Sequence, residues 1–87
     1  MGEKLEGRCL CGAVVFAVTL PVRWCAHCHC SMCRRAHGAP YVTWVGVEAA
    51  RFAFVAGEDQ VRRYGSSAQA TRSGCAVCGT PLFFEST

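Results

Sequence analysis

Apolar positions along this chain come in short runs broken by glycine, proline and polar clusters, and the period of each run predicts the element it forms. Residues 13–18, AVVFAV, are apolar without interruption, which predicts a buried strand ended by Pro21. Residues 39–47, APYVTWVGV, are rich in β-branched and aromatic side chains and predict a second strand. In RFAFVAG, 51–57, Phe52 and Phe54 recur with a period of two, as in a strand with one face inward. QVRRYG (60–65) and TPLFFES (80–86) predict two more strands. In the last of these Phe83 and Phe84 are consecutive, so they face opposite sides. Only SMCRRAHG, 31–38, suits a helix, with Ser31 as its cap and Gly38 as its stop. The expected fold class is therefore mostly β: short antiparallel strands in a single domain over 1–87, with at most one short helix. Core packing is expected for Trp24, Tyr41, Trp44, Phe52, Phe54, Phe83 and Phe84, with partial exposure allowed to the two tryptophans beside a metal site.

A chain of 87 residues is one domain, and so short that burial of its own apolar surface leaves it marginal. Composition shows what supplies the rest, because eight residues are cysteine. The opening MGEKLEGRCL carries neither an apolar h-region nor a small-residue cleavage site, and no stretch reaches the length of a membrane span. A cytoplasmic location without a membrane partner is the expectation. There thiols stay reduced, so clustered cysteines are expected to hold metal rather than form disulfides. With 52% apolar residues the chain is globular, not disordered. The net charge of +3 is too small to imply nucleic acid, and no basic stripe is interleaved with stacking aromatics along the sequence. Nucleic acid is therefore not an expected partner. A homo-oligomer is, because a terminal strand over TPLFFES leaves hydrogen-bonding groups that invite another chain.

Two cysteine pairs lie far apart. GRCLCG carries Cys9-x-Cys11 and GCAVCG carries Cys75-x-x-Cys78, each followed by a glycine, Gly12 and Gly79. A tight turn of this kind brings two sulfurs to one ion and aims backbone amides at them, and glycine tolerates the positive φ such turns require. Two pairs together fill a tetrahedral four-sulfur site closed to water. An ion there joins the start of the chain to its end, and metal binding of this type supplies about 10–16 kcal/mol to folding. The spacing alone leaves a second arrangement open, in which one pair shares an ion with a central cluster, CAHCHCSMCRR, that begins at Cys25.

Taken together, GRCLCGAVVFAV, CHCSMCRRAHGAP and CAVCGTPLFF resemble the glutathione-dependent formaldehyde-activating enzyme family, which includes centromere protein V. The resemblance covers nearly the whole chain. It implies a two-zinc β fold of a Rab-exchange-factor-like superfamily. It implies a structural zinc on Cys9, Cys11, Cys75 and Cys78, and a second zinc at the reaction site on Cys28, Cys30 and Cys33. The implied reaction condenses formaldehyde or a related aldehyde with glutathione or a related thiol, formally a carbon–sulfur lyase in reverse. Chains of that family commonly continue for some tens of residues past the point matching Thr87, so this sequence is expected to lack the family's C-terminal portion.

The chemistry of the central cluster agrees with an open site. Cys33 follows Cys30 by one helical turn, and three thiolates from Cys28, Cys30 and Cys33 cap one face of an ion while leaving the other free. Their net charge with a zinc ion is −1, which Arg34 and Arg35 can offset; the same arginines are candidates for holding a substrate's carboxylates. His29 and His37 are candidates for proton relay, although an exposed or supporting role is the plainer reading of each. Cys25 as a fourth ligand would close the site, but would require nine consecutive residues to wrap one ion. It is expected to be a free, partly buried thiol. A second function class stands beside the enzyme: a structural zinc module for protein or nucleic-acid interaction without catalysis. A CxxC dithiol oxidoreductase is a weak third reading, because the chain lacks the βαβ pattern that a thioredoxin-like motif requires.

Overall fold

In the computed structural model, which describes residues 2–86, the strands are β1 (Lys4–Arg8), β2 (Val15–Thr19), β3 (Trp24–Cys28), β4 (Val42–Gly46), β5 (Phe52–Ala56), β6 (Val61–Ser67), β7 (Ala70–Cys75) and β8 (Pro81–Ser86). One helix, α1 (Ser31–His37), lies between β3 and β4. Three small sheets form, in the orders β1-β2-β5, β3-β4 and β6-β7-β8. The protein is thus mostly β with one short helix. β1, β3 and β7 are additions to the expected strands. Their sequences KLEGR, WCAHC and ATRSGC carry no apolar period of their own, and pairing with neighbours holds them extended. No described helix is long and apolar enough to cross a membrane.

The chain divides into two compact units, one of residues up to Leu5 with Val18–Phe52, the other of Glu6–Ala17 with the chain from Ala53 onward. In the second unit the buried hydrophobic cluster is Cys9, Val14 and Cys75, against which Ala13, Phe54, Val61, Cys78 and Leu82 pack. Its core is therefore built around cysteines. β6, β7 and β8 are antiparallel, and the register between β7 and β8 shifts from Ser73↔Phe83 to Gly74↔Pro81. The shift leaves Leu82 as an extra residue, so Leu82 and Phe83 both turn inward although adjacent. Leu82 meets the cysteine core, and Phe83 packs edge-on to Phe16 and Phe54 at 5.0 and 5.7 Å. Phe84 falls on the other face, 41% exposed, with the Arg72 guanidinium 5.0 Å from its ring centroid. This corrects the expectation that Phe84 packs in a core.

In the first unit β3 and β4 pair antiparallel, from Trp24↔Gly46 to Cys28↔Val42. Cys33 of α1 and Val42 of β4 are buried, and Trp44 is half-buried with its ring edge-on to His37 at 5.2 Å. Tyr41 is 45% exposed, again a correction to the core expectation, and Trp24 is 54% exposed, in keeping with the partial exposure allowed to it. A two-stranded sheet with a seven-residue helix has too little surface to bury every aromatic it carries. The helix start also differs from the sequence reading. Its cap is Cys30, not Ser31: the Cys30 sulfur accepts the Cys33 amide hydrogen at 3.3 Å. Its stop is Gly38, left-handed at φ 62°, whose amide donates to the Arg34 carbonyl.

Candidate metal centres

All eight cysteines are free of disulfides. Two groups of three or more metal-ligating side chains occur among the described residues, with their ligand atoms within 4.8 Å of one another: Cys9, Cys11, Cys75 and Cys78, and Cys28, Cys30 and Cys33. The first group resolves the ambiguity of spacing, because the two distant pairs meet each other and not the central cluster.

Each distant pair sits on a tight turn of the same design. Gly12 and Gly79 adopt φ of 82° and 81°. Their amides donate to the carbonyls of Cys9 and Cys75 at 3.1 and 2.9 Å, and the Cys9 and Cys75 amides donate to Val14 and Thr80 across the turn. Further amides point at sulfur: Val14 at Cys9 (3.3 Å), and Val77 and Cys78 at Cys75 (3.3 and 3.4 Å). The sulfurs of Cys9 and Cys11 are 3.6 Å apart and those of Cys11 and Cys75 are 3.8 Å apart. Sulfurs placed tetrahedrally about 2.3 Å from a zinc ion lie roughly 3.8 Å from each other, so the donor set and its spacing fit zinc.

Thr80, which sequence reasoning did not single out, links the two turns. Its hydroxyl oxygen accepts the Leu10 amide hydrogen at 3.1 Å, which leaves its proton for the Cys78 sulfur, also at 3.1 Å. That hydroxyl, with the Thr80 and Cys11 amides, holds the Cys78 thiol down to about 5. The Val14 amide lowers Cys9 in the same way. Cys11 moves in the opposite direction. The Ala13 amide favours its thiolate, but desolvation and the sulfurs of Cys9, Cys78 and Cys75 outweigh it and push the thiol up to about 11. Four sulfurs this close cannot all ionise by themselves, and a dication at their centre removes the conflict.

The central group has a different character. Cys28 ends β3, Cys30 caps α1 and Cys33 sits one turn into the helix, so a strand end and a helix start converge on one point. Cys33 is buried, Cys28 intermediate and Cys30 exposed. At Cys28 the Cys30 amide favours the thiolate, but the sulfurs of Cys33 and Cys30 outweigh it and raise the thiol. Cys25 lies outside the group. Three residues from Cys28 on the same strand, it points to the opposite face of the sheet, and it is exposed rather than partly buried.

The remaining candidates are placed around this centre as follows. Arg34 and Arg35 are exposed on α1. His29 is exposed, its ring 5.3 Å from that of Tyr41, and His37 is held against Trp44. His27 joins Thr43 through Nδ1 at 2.8 Å and meets Tyr41 edge-on at 4.9 Å. Tyr41, which the sequence reading assigned to a core, directly precedes β4, and the place of Trp44 follows from the β3–β4 register. The first unit carries Lys4, Arg23, Arg34, Arg35 and Arg51 against Glu3 and Glu48, so the whole net charge of +3 belongs to it. The second unit balances Arg8, Arg62, Arg63 and Arg72 against Glu6, Glu58, Asp59 and Glu85.

These features define a class: a small β protein organised around two cysteine-only centres, one of four sulfurs with Cys9 and Cys75 in a core and Cys11 exposed, and one of three sulfurs with Cys33 buried and Cys30 exposed. Residues 4–87 match the family model of the glutathione-dependent formaldehyde-activating enzyme, and the chain belongs to that family. A relative from Schizosaccharomyces pombe, named as an uncharacterized lyase, is 32% identical over 84 residues, which are 97% of this chain and 59% of the relative. The chain thus spans 59% of the length of the curated relative it matches.

Proposed function

We propose that the chain acts as a zinc-dependent enzyme of the carbon–sulfur lyase type, joining formaldehyde or a related aldehyde to glutathione or a related thiol. On this reading Cys9, Cys11, Cys75 and Cys78 hold a structural zinc, and Cys28, Cys30 and Cys33 hold a second zinc at the reaction site. The observation that carries the reading is the three-sulfur group, in which no fourth His, Cys, Asp or Glu joins among the described residues. A zinc ion bound there supplies a vacant position that favours the thiolate form of an incoming thiol and polarises a carbonyl.

The chain's own residues would do the rest. Arg34 and Arg35 attract the carboxylates of glutathione into the one unit of the protein with excess positive charge. Exposed His29, between two of the ligands in sequence, is the nitrogen best placed along the chain to carry a proton. In the reaction a carbon–sulfur bond forms, the carbonyl π bond opens, and the thiol proton ends on the oxygen. Nothing is oxidised or reduced. Eight free thiols suit a reducing compartment, which supports a cytoplasmic location.

The test follows S-hydroxymethylglutathione formation by NMR exchange spectroscopy, with zinc-loaded protein, glutathione and formaldehyde. Acceleration over the uncatalysed rate is expected for the natural sequence and should vanish in Cys30→Ser. No acceleration by fully loaded protein overturns the reading and favours the non-catalytic zinc module.

A further inference from the structure

β3 and β4 place the three-sulfur centre and an aromatic strip on one face. Trp24, Ala26 and Cys28 alternate with Cys25 and His27 along β3 and so share a side. Their register partners on β4, Gly46, Trp44 and Val42, point to that same side. At one end the sulfur of Cys28 joins those of Cys30 and Cys33, and α1 covers this end, with Cys33 and Val42 buried and His37 against Trp44. At the other end Trp24 lies across Gly46, where a Cβ would land on the indole, and remains 54% exposed. Gly46 lies under the Trp24 indole, and the small, exposed Ala26 leaves room beside its register partner Trp44. Four residues separate Cys28 from Trp24, roughly 13 Å of strand.

Charge and apolar surface are divided between two elements. The cations near the centre, Arg34 and Arg35, are on α1. The strip of Trp24, Ala26, Trp44, Gly46 and Val42 carries no charge at all. The two reactants of the proposed reaction divide in the same way. A thiol such as glutathione brings carboxylates, which suit the arginines. The carbon skeleton of an aldehyde suits the indoles, and formaldehyde has no skeleton to place there.

We infer that this strip is a subsite for the apolar substituent of an aldehyde larger than formaldehyde, aliphatic or aromatic, whose carbonyl reaches the Cys28, Cys30 and Cys33 centre. The inference rests on the proposed function and specifies its substrate class. The same bonds change as before: carbon–sulfur forms, the carbonyl π bond opens, and the thiol proton moves to oxygen. Each methylene buried against the strip is worth about a factor of four in kcat/KM.

The test compares decanal, whose extended chain is long enough to lie from the sulfurs to Trp24, with acetaldehyde, using zinc-loaded protein and glutathione. Decanal should be preferred by about tenfold or more in kcat/KM. Trp24→Ala should remove most of that preference, and Gly46→Val, which drives the indole off the strip, should do the same. No preference, or a preference that survives both variants, overturns the inference. A second readout does not need turnover. The chain has two tryptophans, hence two indole N–H signals in NMR. Decanal should shift the Trp24 signal while equimolar acetaldehyde leaves it in place. Turnover of formaldehyde with no decanal preference and no shift removes the subsite and leaves the proposed function standing. A decanal shift without turnover of any aldehyde keeps the subsite and removes the proposed function. Absence of both turnover and shift removes both.

Discussion

The Thr80 hydroxyl stands 3.1 Å from the Cys78 sulfur while it accepts the amide hydrogen of Leu10 at 3.1 Å. One side chain thus donates to a ligand on the second turn and fixes the backbone of the first. Thr80→Val keeps the shape and removes both bonds. The Cys78 thiol, held down to about 5, should then rise toward its ordinary value. Zinc affinity at the four-sulfur centre should fall about 10–100-fold, the usual cost of losing a partner that orients a ligand. Competition with a chelator measures this, and an unchanged affinity would mean that the Thr80 bond is incidental.

The two centres should differ in what they do for stability. Cys9 and Cys75 are core residues of their unit, whereas Cys30 is exposed. Cys9→Ser or Cys78→Ser should unfold the protein or leave it insoluble, because zinc binding at such a site, about 10–16 kcal/mol, is as large as a whole domain's net stability. Cys30→Ser should lose one ion and keep a cooperative melt; serine there still caps α1. Circular dichroism melts decide, and equal losses in the two kinds of variant would end the distinction.

Cys25 and Cys28 should respond differently to the same substitution. Cys25→Ser is expected to keep two zinc ions per chain and Cys28→Ser to keep one. Cobalt substitution gives a second reading, because its charge-transfer bands report the number of sulfur ligands. Intensity should grow when glutathione is added to the natural protein and to Cys25→Ser alike. Two saturated four-sulfur spectra without glutathione would place Cys25 on the ion.

Acid should empty the centres in order. A ligand must be deprotonated to bind, so a group with a lowered pKa holds metal further into acid, and one with a raised pKa releases it sooner. In the four-sulfur centre Cys78 is held down to about 5 and Cys9 is also lowered, which together outweigh Cys11, pushed up to about 11; in the three-sulfur centre Cys28 is raised. As the pH falls from neutral, the three-sulfur centre should therefore release its zinc first and the four-sulfur centre last. Zinc release to a chromogenic chelator should show two steps. A single step, or a Cys30→Ser variant that loses the step at lower pH and keeps the one at higher pH, contradicts the assignment.

Arg34 and Arg35 should act on binding rather than on chemistry. Replacing both by Ala is expected to raise KM for glutathione about fivefold with little change in kcat, in keeping with exposed charge pairs. The effect should shrink as salt is added. Equal loss in kcat would instead place an arginine at the reacting atoms.

Much of the local structure is legible in the spacing of a few residues. Cys9-x-Cys11-Gly12 and Cys75-x-x-Cys78-Gly79 form the predicted turns with positive φ at each glycine. Gly38 ends α1, and the β-branched and aromatic runs at 42–46 and 52–56 form β4 and β5. These features depend on steric preferences within a few residues, which sequence displays directly.

Pairing between distant segments decided the rest. KLEGR, WCAHC and ATRSGC become strands because partners elsewhere in the chain accept from their amides and donate to their carbonyls. Once β3 exists, parity separates Cys25 from Cys28, and the β3–β4 register puts Trp24 and Trp44 on the same face as Cys28. The register shift opposite Leu82 sends Phe83 inward and leaves Phe84 exposed. Sequence alone determined which residues can turn, stop the helix and offer sulfurs to an ion. Which of them share a face was decided by the tertiary structure, because a displacement of one residue in a ladder moves every side chain of a strand to its other side.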